Sequence, residues 1–142
     1  MNRLREITER VKRSGDRFTN TRRVILIILY DAGHPLTVAV VIKELSERGI
    51  KVNKTTVYRQ MAFLVETGAV NEVRIEPNVV HYELSEVAHR HHLVCRMCGN
   101  VENVDCTKLE KYVEKFEREI ARRGFSVRDH SLEFYGICGK CV

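Results

Sequence analysis

Four of the five cysteines stand in two matched pairs, Cys95-Arg96-Met97-Cys98 and Cys138-Gly139-Lys140-Cys141. A Cys-x-x-Cys turn brings two sulfurs to one side of a tight loop. Two such loops supply the four thiolates of a tetrahedral zinc site. Gly99, Gly136 and Gly139 flank or split the pairs, and glycine lets backbone fold around an ion without a Cβ clash. Two other chemistries use cysteine. A disulfide framework belongs to an oxidising compartment, and a redox Cys-x-x-Cys needs one reactive pair rather than two matched ones. Structural zinc, tying the chain end onto its middle, is the reading these pairs favour. Cys106 has no such partner and reads as an ordinary small residue near a helix start.

Histidine supplies a second set of donors: His34, His89, His91, His92 and His130. If His89-Arg90-His91-His92 is extended, His89 and His91 face one way and Arg90 and His92 the other, which suggests two sites. Glu83 and Glu110 are the nearest oxygen donors. Each residue also has a plain structural reading. Thr107-Lys108-Leu109-Glu110 fits a capping box, in which Glu110 serves only its own helix. His34 before Pro35 fits an ordinary loop, and His81 reads as structural.

These donors need elements to hold them. The length predicts one domain or two small ones. With 44% hydrophobic and 30% charged residues, a globular chain is expected and disorder is excluded. The longest strongly apolar run, Val24 to Tyr30, falls far short of the roughly eighteen residues of a membrane span. No apolar leader precedes Leu4, so a cytoplasmic location is expected. Leu4, Ile7 and Val11 fall at helical spacing before Ser14-Gly15. Thr21 is placed to cap a helix to Ala32, Thr37 a helix to Arg48, and Asn53 or Thr55 a helix to Thr67. Two β-rich runs follow, Val70–Ile75 and Val79–Leu84, joined by Glu76-Pro77-Asn78. Helices followed by a hairpin read as a winged helix over residues 1–84, with the fourth helix as recognition helix. Residues 1–23 carry eight basic side chains against three acidic ones, which favours an anionic partner such as duplex DNA. Tyr58 and Arg59 are the side chains aimed at DNA; half-buried packing and a solvated charge are their plainer readings.

Residues 85–142 read as strands at Leu93-Val94 and Val101–Val104 and a helix striped by Leu109, Tyr112, Val113, Phe116 and Ile120. A last strand is expected over Phe125–Phe134. So short a stretch buries little surface, so zinc and pairing with a second copy are both expected to support it. The fold class is therefore α+β: an N-terminal winged-helix domain and a C-terminal α/β dimerisation domain with structural zinc.

The chain resembles the ferric uptake regulator (Fur) family of metal-sensing repressors over nearly its whole length. The resemblance rests on Arg17-Phe18-Thr19-Asn20-Thr21-Arg22, Thr55-Thr56-Val57-Tyr58-Arg59, the run His89 to Gly99, and the run His130 to Cys141. It implies a homodimer that binds palindromic double-stranded operators when loaded with a divalent metal. It implies one structural Zn2+ per subunit on Cys95, Cys98, Cys138 and Cys141. A second divalent metal, Fe2+ or Zn2+, with Mn2+ or Ni2+ as alternatives, is implied on His89, His91, Glu110 and His130, with Glu114 as the substitute should Glu110 be displaced. A hinge site is implied on His34, Glu83 and His92, and DNA contacts on Arg17, Arg22, Thr56, Tyr58 and Arg59. Two hinge positions depart from the family pattern: Arg90 is a permanent cation and Asn103 a neutral amide. That leaves the hinge set incomplete. A zinc-specific or peroxide-responsive relative, and in a different class a zinc-stabilised thiol oxidoreductase, are the alternative readings.

Overall fold

A computed structural model describes residues 2–85, 91–128 and 130–142. The element order is α1 (Asn2–Arg13), α2 (Asn20–Ala32), β1 (Leu36–Thr37), α3 (Val38–Glu47), α4 (Lys54–Glu66), β2 (Val70–Glu76), β3 (Val79–Leu84), β4 (His91–Cys95), β5 (Val101–Val104), α5 (Thr107–Ala121) and β6 (Glu133–Gly136). The chain divides into two compact units, residues 1–88 and 89–142.

In the first unit each of three helices starts on a side-chain cap. Thr37 Oγ1 accepts from Val40 N at 3.4 Å, and Asn53 Oδ1 accepts from Thr56 N at 2.7 Å. The cap of α2 is Thr19, not Thr21, because Thr19 is the residue with extended backbone (φ −81°, ψ 158°) and its hydroxyl accepts from Arg22 N. The apolar faces of α1 to α4 close on a core that includes Ile7, Ile25, Val41, Leu45, Met61 and Leu64. Burial of this kind contributes roughly 25 cal/mol per Å² of apolar surface, which is what a marginal domain needs to stand alone. The sheet order is β1-β3-β2, all antiparallel, with Leu36 opposite Tyr82 and Val70 opposite Leu84. β1 is two residues long, too short for its hydrophobic pattern to be read in advance. Asn78 turns the β2–β3 hairpin with φ 66°.

The second unit is a sheet of order β5-β4-β6 with α5. β4 pairs antiparallel with β5 and parallel with β6; Cys95 stands opposite Gly136. The last strand covers only Glu133–Gly136, so the expected strand over Phe125–Phe134 is corrected: residues 125–128 and 130–132 are irregular. The apolar–polar alternation of Phe125 to Arg128 is not continued in the sequence, where Asp129 and Ser131 stand at the apolar positions, and His130 hydrogen-bonds Glu117 of α5. No residue of α5 is buried, and Tyr112 and Phe116 are 73% and 61% exposed. No helix of the described residues is long and apolar enough to cross a membrane.

Candidate metal centres and nucleic-acid face

The parallel pairing of β4 with β6 is what brings the cysteine pairs together. Arg96 N donates to Gly136 O at 2.8 Å, so Cys138 follows two residues beyond the end of β6, beside Cys95. Gly99 adopts φ 71°, a left-handed backbone that closes the first loop and that a residue with Cβ resists. The four sulfurs of Cys95, Cys98, Cys138 and Cys141 lie within 4.8 Å of one another. Cys98 Sγ and Cys138 Sγ are 3.7 Å apart. A disulfide is about 2.05 Å, whereas a tetrahedron with Zn–S of about 2.3 Å has edges near 3.8 Å. All five cysteines are free.

The electrostatics of the cluster fit a cation. Cys138 N donates to Cys95 Sγ at 3.2 Å, and this bond, with backbone donation from Cys98, pulls the Cys95 thiol down to about 6. The Cys141 thiol is pushed up to about 12, first by its hydrogen bond with Cys138 and then by Cys98. One sulfur, Cys95, is thus held ready as a thiolate while another, Cys141, resists further negative charge. A dication among the four removes that resistance.

The second cluster joins three separate segments. His91 lies on β4 and is 2% exposed, Glu110 opens α5, and His130 precedes β6. Their donor atoms fall within 4.8 Å of one another. His91 Nε2 hydrogen-bonds Glu110 Oε1, and His130 Nε2 lies 3.6 Å from the same oxygen. The two imidazoles stack with centroids 5.7 Å apart. Glu110 is not a capping residue: Asp105, not Glu110, serves the helix start by accepting from Thr107 N at 2.9 Å. The hydrogen bond from His91 holds the Glu110 carboxyl below its ordinary range, so it is an anion at neutral pH. His91 Nδ1 is buried and, among the described residues, has no hydrogen-bond partner. Two nitrogens and a carboxylate at this spacing suit a divalent ion. The residue that sequence reasoning missed is Glu117, whose Oε1 accepts from His130 Nδ1 at 3.0 Å. Its signal was the seven-residue step from Glu110, which returns to the same helix face. Glu114, the substitute for Glu110, is not in this cluster.

His89 and Arg90 lie outside the described residues. The other residues of the hinge set are placed within their own units. His34 follows α2 and donates from Nδ1 to Pro35 O at 3.1 Å; Glu83 lies on β3 opposite Asn71. His92, 2% exposed, lies on β4 opposite Asn103.

On α4, Tyr58 and Arg59 are exposed, with Lys54 Nζ 5.6 Å from the Tyr58 ring centroid, while Thr56 is half-buried. Arg17 is exposed; Arg22 is half-buried and engaged by the protein itself.

A helical unit closed by a hairpin, followed by a unit with two clusters of metal-type donors, describes a two-part α+β protein of the metal-binding regulator kind. The chain belongs to the ferric uptake regulator family, whose model matches residues 13–135. It is 34% identical over 96% of its length to the ferric uptake regulation protein of Legionella pneumophila, covering 98% of that protein. It is 31% identical over 99% of its length to the ferric uptake regulation protein of Bacillus subtilis, covering 95% of it. The solved structure of the Pseudomonas aeruginosa ferric uptake regulator with manganese superposes with a TM-score of 0.73 at 28% identity, over 91% of this chain and 95% of that one. Membership makes the chain a metal-responsive transcription regulator and not an enzyme, so the thiol oxidoreductase alternative is set aside.

Proposed function

We propose that the chain is a DNA-binding repressor of metal homeostasis that acts in the cytoplasm as a homodimer on a palindromic operator. The observation that carries this is the convergence of His91, Glu110 and His130 from three segments of one unit, beside a four-thiol cluster. Cys95, Cys98, Cys138 and Cys141 hold one zinc per subunit and keep the chain end folded back. His91, Glu110 and His130, with His89, hold a second divalent ion, Fe2+ or Zn2+, with Mn2+ and Ni2+ as competitors; intrinsic affinity does not choose among them. That ion supplies differential affinity for one arrangement of the subunits, and only that difference can shift the equilibrium. Glu117 fixes the His130 tautomer by accepting a hydrogen bond from its protonated Nδ1, which leaves Nε2 toward Glu110. The hinge set of His34, Glu83 and His92 is the weaker set of donors, because Arg90 and Asn103 stand where two more are wanted.

The boundary between DNA-binding and dimerisation domains falls at 84/85. The exposed apolar side chains of the second unit, Leu93, Tyr112, Phe116 and Phe134 among them, are the surface that a second copy covers. Tyr58 and Arg59 read base edges from α4, Thr56 and Arg17 hold phosphates, and Arg22 serves the same face. Two reading helices about one DNA turn apart, roughly 34–36 Å, then engage the two half-sites.

The experiment is metal analysis of the purified protein followed by operator selection from random duplexes with each candidate ion. One zinc per chain and a palindromic site bound in a metal-dependent way are expected. Zinc-free protein, or binding indifferent to every divalent ion, overturns the reading.

A further inference from the structure

Arg22 belongs to the basic cluster near the start of the chain, and its type alone points to a phosphate. Its surroundings point elsewhere. The guanidinium carbon sits 3.5 Å from the centroid of the Phe63 ring, close enough for a full stack. Nε donates to Gln60 Oε1 at 2.6 Å, and Nη1 donates to the carbonyl of Arg17 at 2.8 Å. Gln60 and Phe63 both lie on α4, one turn apart, and Arg22 lies in the first turn of α2. One side chain therefore ties three things together: the start of α2, the segment that precedes it, and the middle of α4.

The backbone of α4 packs mainly on α3 and β2. The Arg22 side chain adds a link to α2 that those contacts do not provide. Among the described residues the guanidinium's partners, Gln60, the Arg17 carbonyl and the Phe63 ring, are neutral, so the link is directional rather than a charge pairing. It uses the two properties that distinguish arginine from lysine, a planar fork and a face that stacks. Tyr58 and Arg59 stand two positions and one position before Gln60, so a change in the roll of α4 about its axis moves both.

We infer that Arg22 is a positioning residue for the reading helix, acting through Gln60 and Phe63, and not a contact to DNA phosphate. This rests on the proposed DNA-binding role, and its test separates the two. The zinc-containing, Mn2+-loaded full-length protein is compared with Arg22→Ala, Arg22→Lys and Phe63→Leu in two measurements. The first is amide hydrogen exchange without DNA. Exchange in residues 54–63 is expected to rise about tenfold or more in Arg22→Ala and in Phe63→Leu, with α3 and β3 less affected. Lysine, which keeps the charge, does not restore the protection.

The second measurement is binding to a selected operator and to a random-sequence duplex over a range of salt. Arg22→Ala and Arg22→Lys are expected to lose about tenfold or more on the operator. The slope of log affinity against log salt on the random duplex stays as in the parent protein. A phosphate contact predicts the reverse: a slope smaller by about 0.9 per lost contact and recovery by lysine. That pattern, or unchanged exchange in α4, overturns the inference. If selection yields no operator, the DNA-binding reading fails while hydrogen exchange still decides the role of Arg22.

Discussion

The two units of this chain are held by different means. The first closes eighteen buried apolar residues into one cluster drawn from four helices and the sheet. In the second, the buried apolar residues among those described are Val94, Cys95 and Val101, and His91 and His92 are buried beside them in the sequence. The first unit has the means to fold by itself. The second has put polar donors where a core belongs, and a buried ring nitrogen such as His91 Nδ1, which has no hydrogen-bond partner among the described residues, is costly. With so few buried apolar side chains, the second unit is the one whose stability is expected to depend on a bound ion.

The largest effect should come from removing the sulfur-bound ion. Chelation, or Cys95→Ser, is expected to unfold residues 91–142 while leaving the helices of the first unit intact. Structural zinc in finger peptides contributes roughly 10–16 kcal/mol apparent, more than so small a unit can replace. Far-UV circular dichroism together with hydrogen exchange checks this. Uniform loss of protection across both units would show that they are not separately stabilised.

The converse experiment attacks the first unit. Leu64→Ala removes a fully buried side chain from α4. The expected cost is about 2–5 kcal/mol of stability in that unit, with one zinc retained per chain. Denaturant unfolding followed by zinc release gives both readings. Zinc lost in step with the first unit's melting would break the comparison.

The same division explains what was legible beforehand. The helices of the first unit announce themselves by local rules: Thr37 and Asn53 are capping residues, and Val57, Met61 and Leu64 share a face. Thr19 was displaced to Thr21 because both are competent caps and only the backbone angles separate them. In the second unit the donors were legible by type and the geometry was not. The parallel β4–β6 pairing joins residues some forty positions apart, which no local pattern encodes. Thr107 to Glu110 has the form of a capping box, yet Asp105 takes the helix start and Glu110 turns to His91. Glu117 and the Phe63–Gln60 face of Arg22 were hidden for the same reason. Each acts through one specific long-range contact, and its residue type is also common on exposed helix faces.

A smaller effect should sharpen the picture of the histidine cluster. Glu117→Ala removes the acceptor for His130 Nδ1. Loss of such an outer partner typically costs about 10–100-fold in metal affinity. Mn2+ titration is expected to show that loss, with structural zinc unchanged and partial recovery in Glu117→Gln. In the zinc-containing protein without Mn2+, nuclear magnetic resonance of the imidazole nitrogens should show His130 carrying its proton on Nδ1 in the parent and redistributing it in Glu117→Ala. Unchanged affinity would make Glu117 a bystander to the cluster.

The smallest effect concerns pH, and its sign follows from the direction of one shift. Glu110 is held below the ordinary carboxyl range, first by its hydrogen bond from His91. A group shifted this way favours the folded form above its ordinary value, and that contribution fades only as pH falls through the lowered value. Glu110 is therefore already an anion across the range where imidazoles take up protons, around 6.5 for an unperturbed histidine. Metal affinity should weaken as pH falls from 8 to 6 because the histidine ligands must shed protons, with no share of that slope from Glu110. Glu110→Gln should then lower affinity by a similar factor at every pH, giving parallel lines of log affinity against pH. Lines that converge as the solution becomes more acidic would mean that Glu110 gives up a proton on binding, and that the His91 contact does not keep it charged.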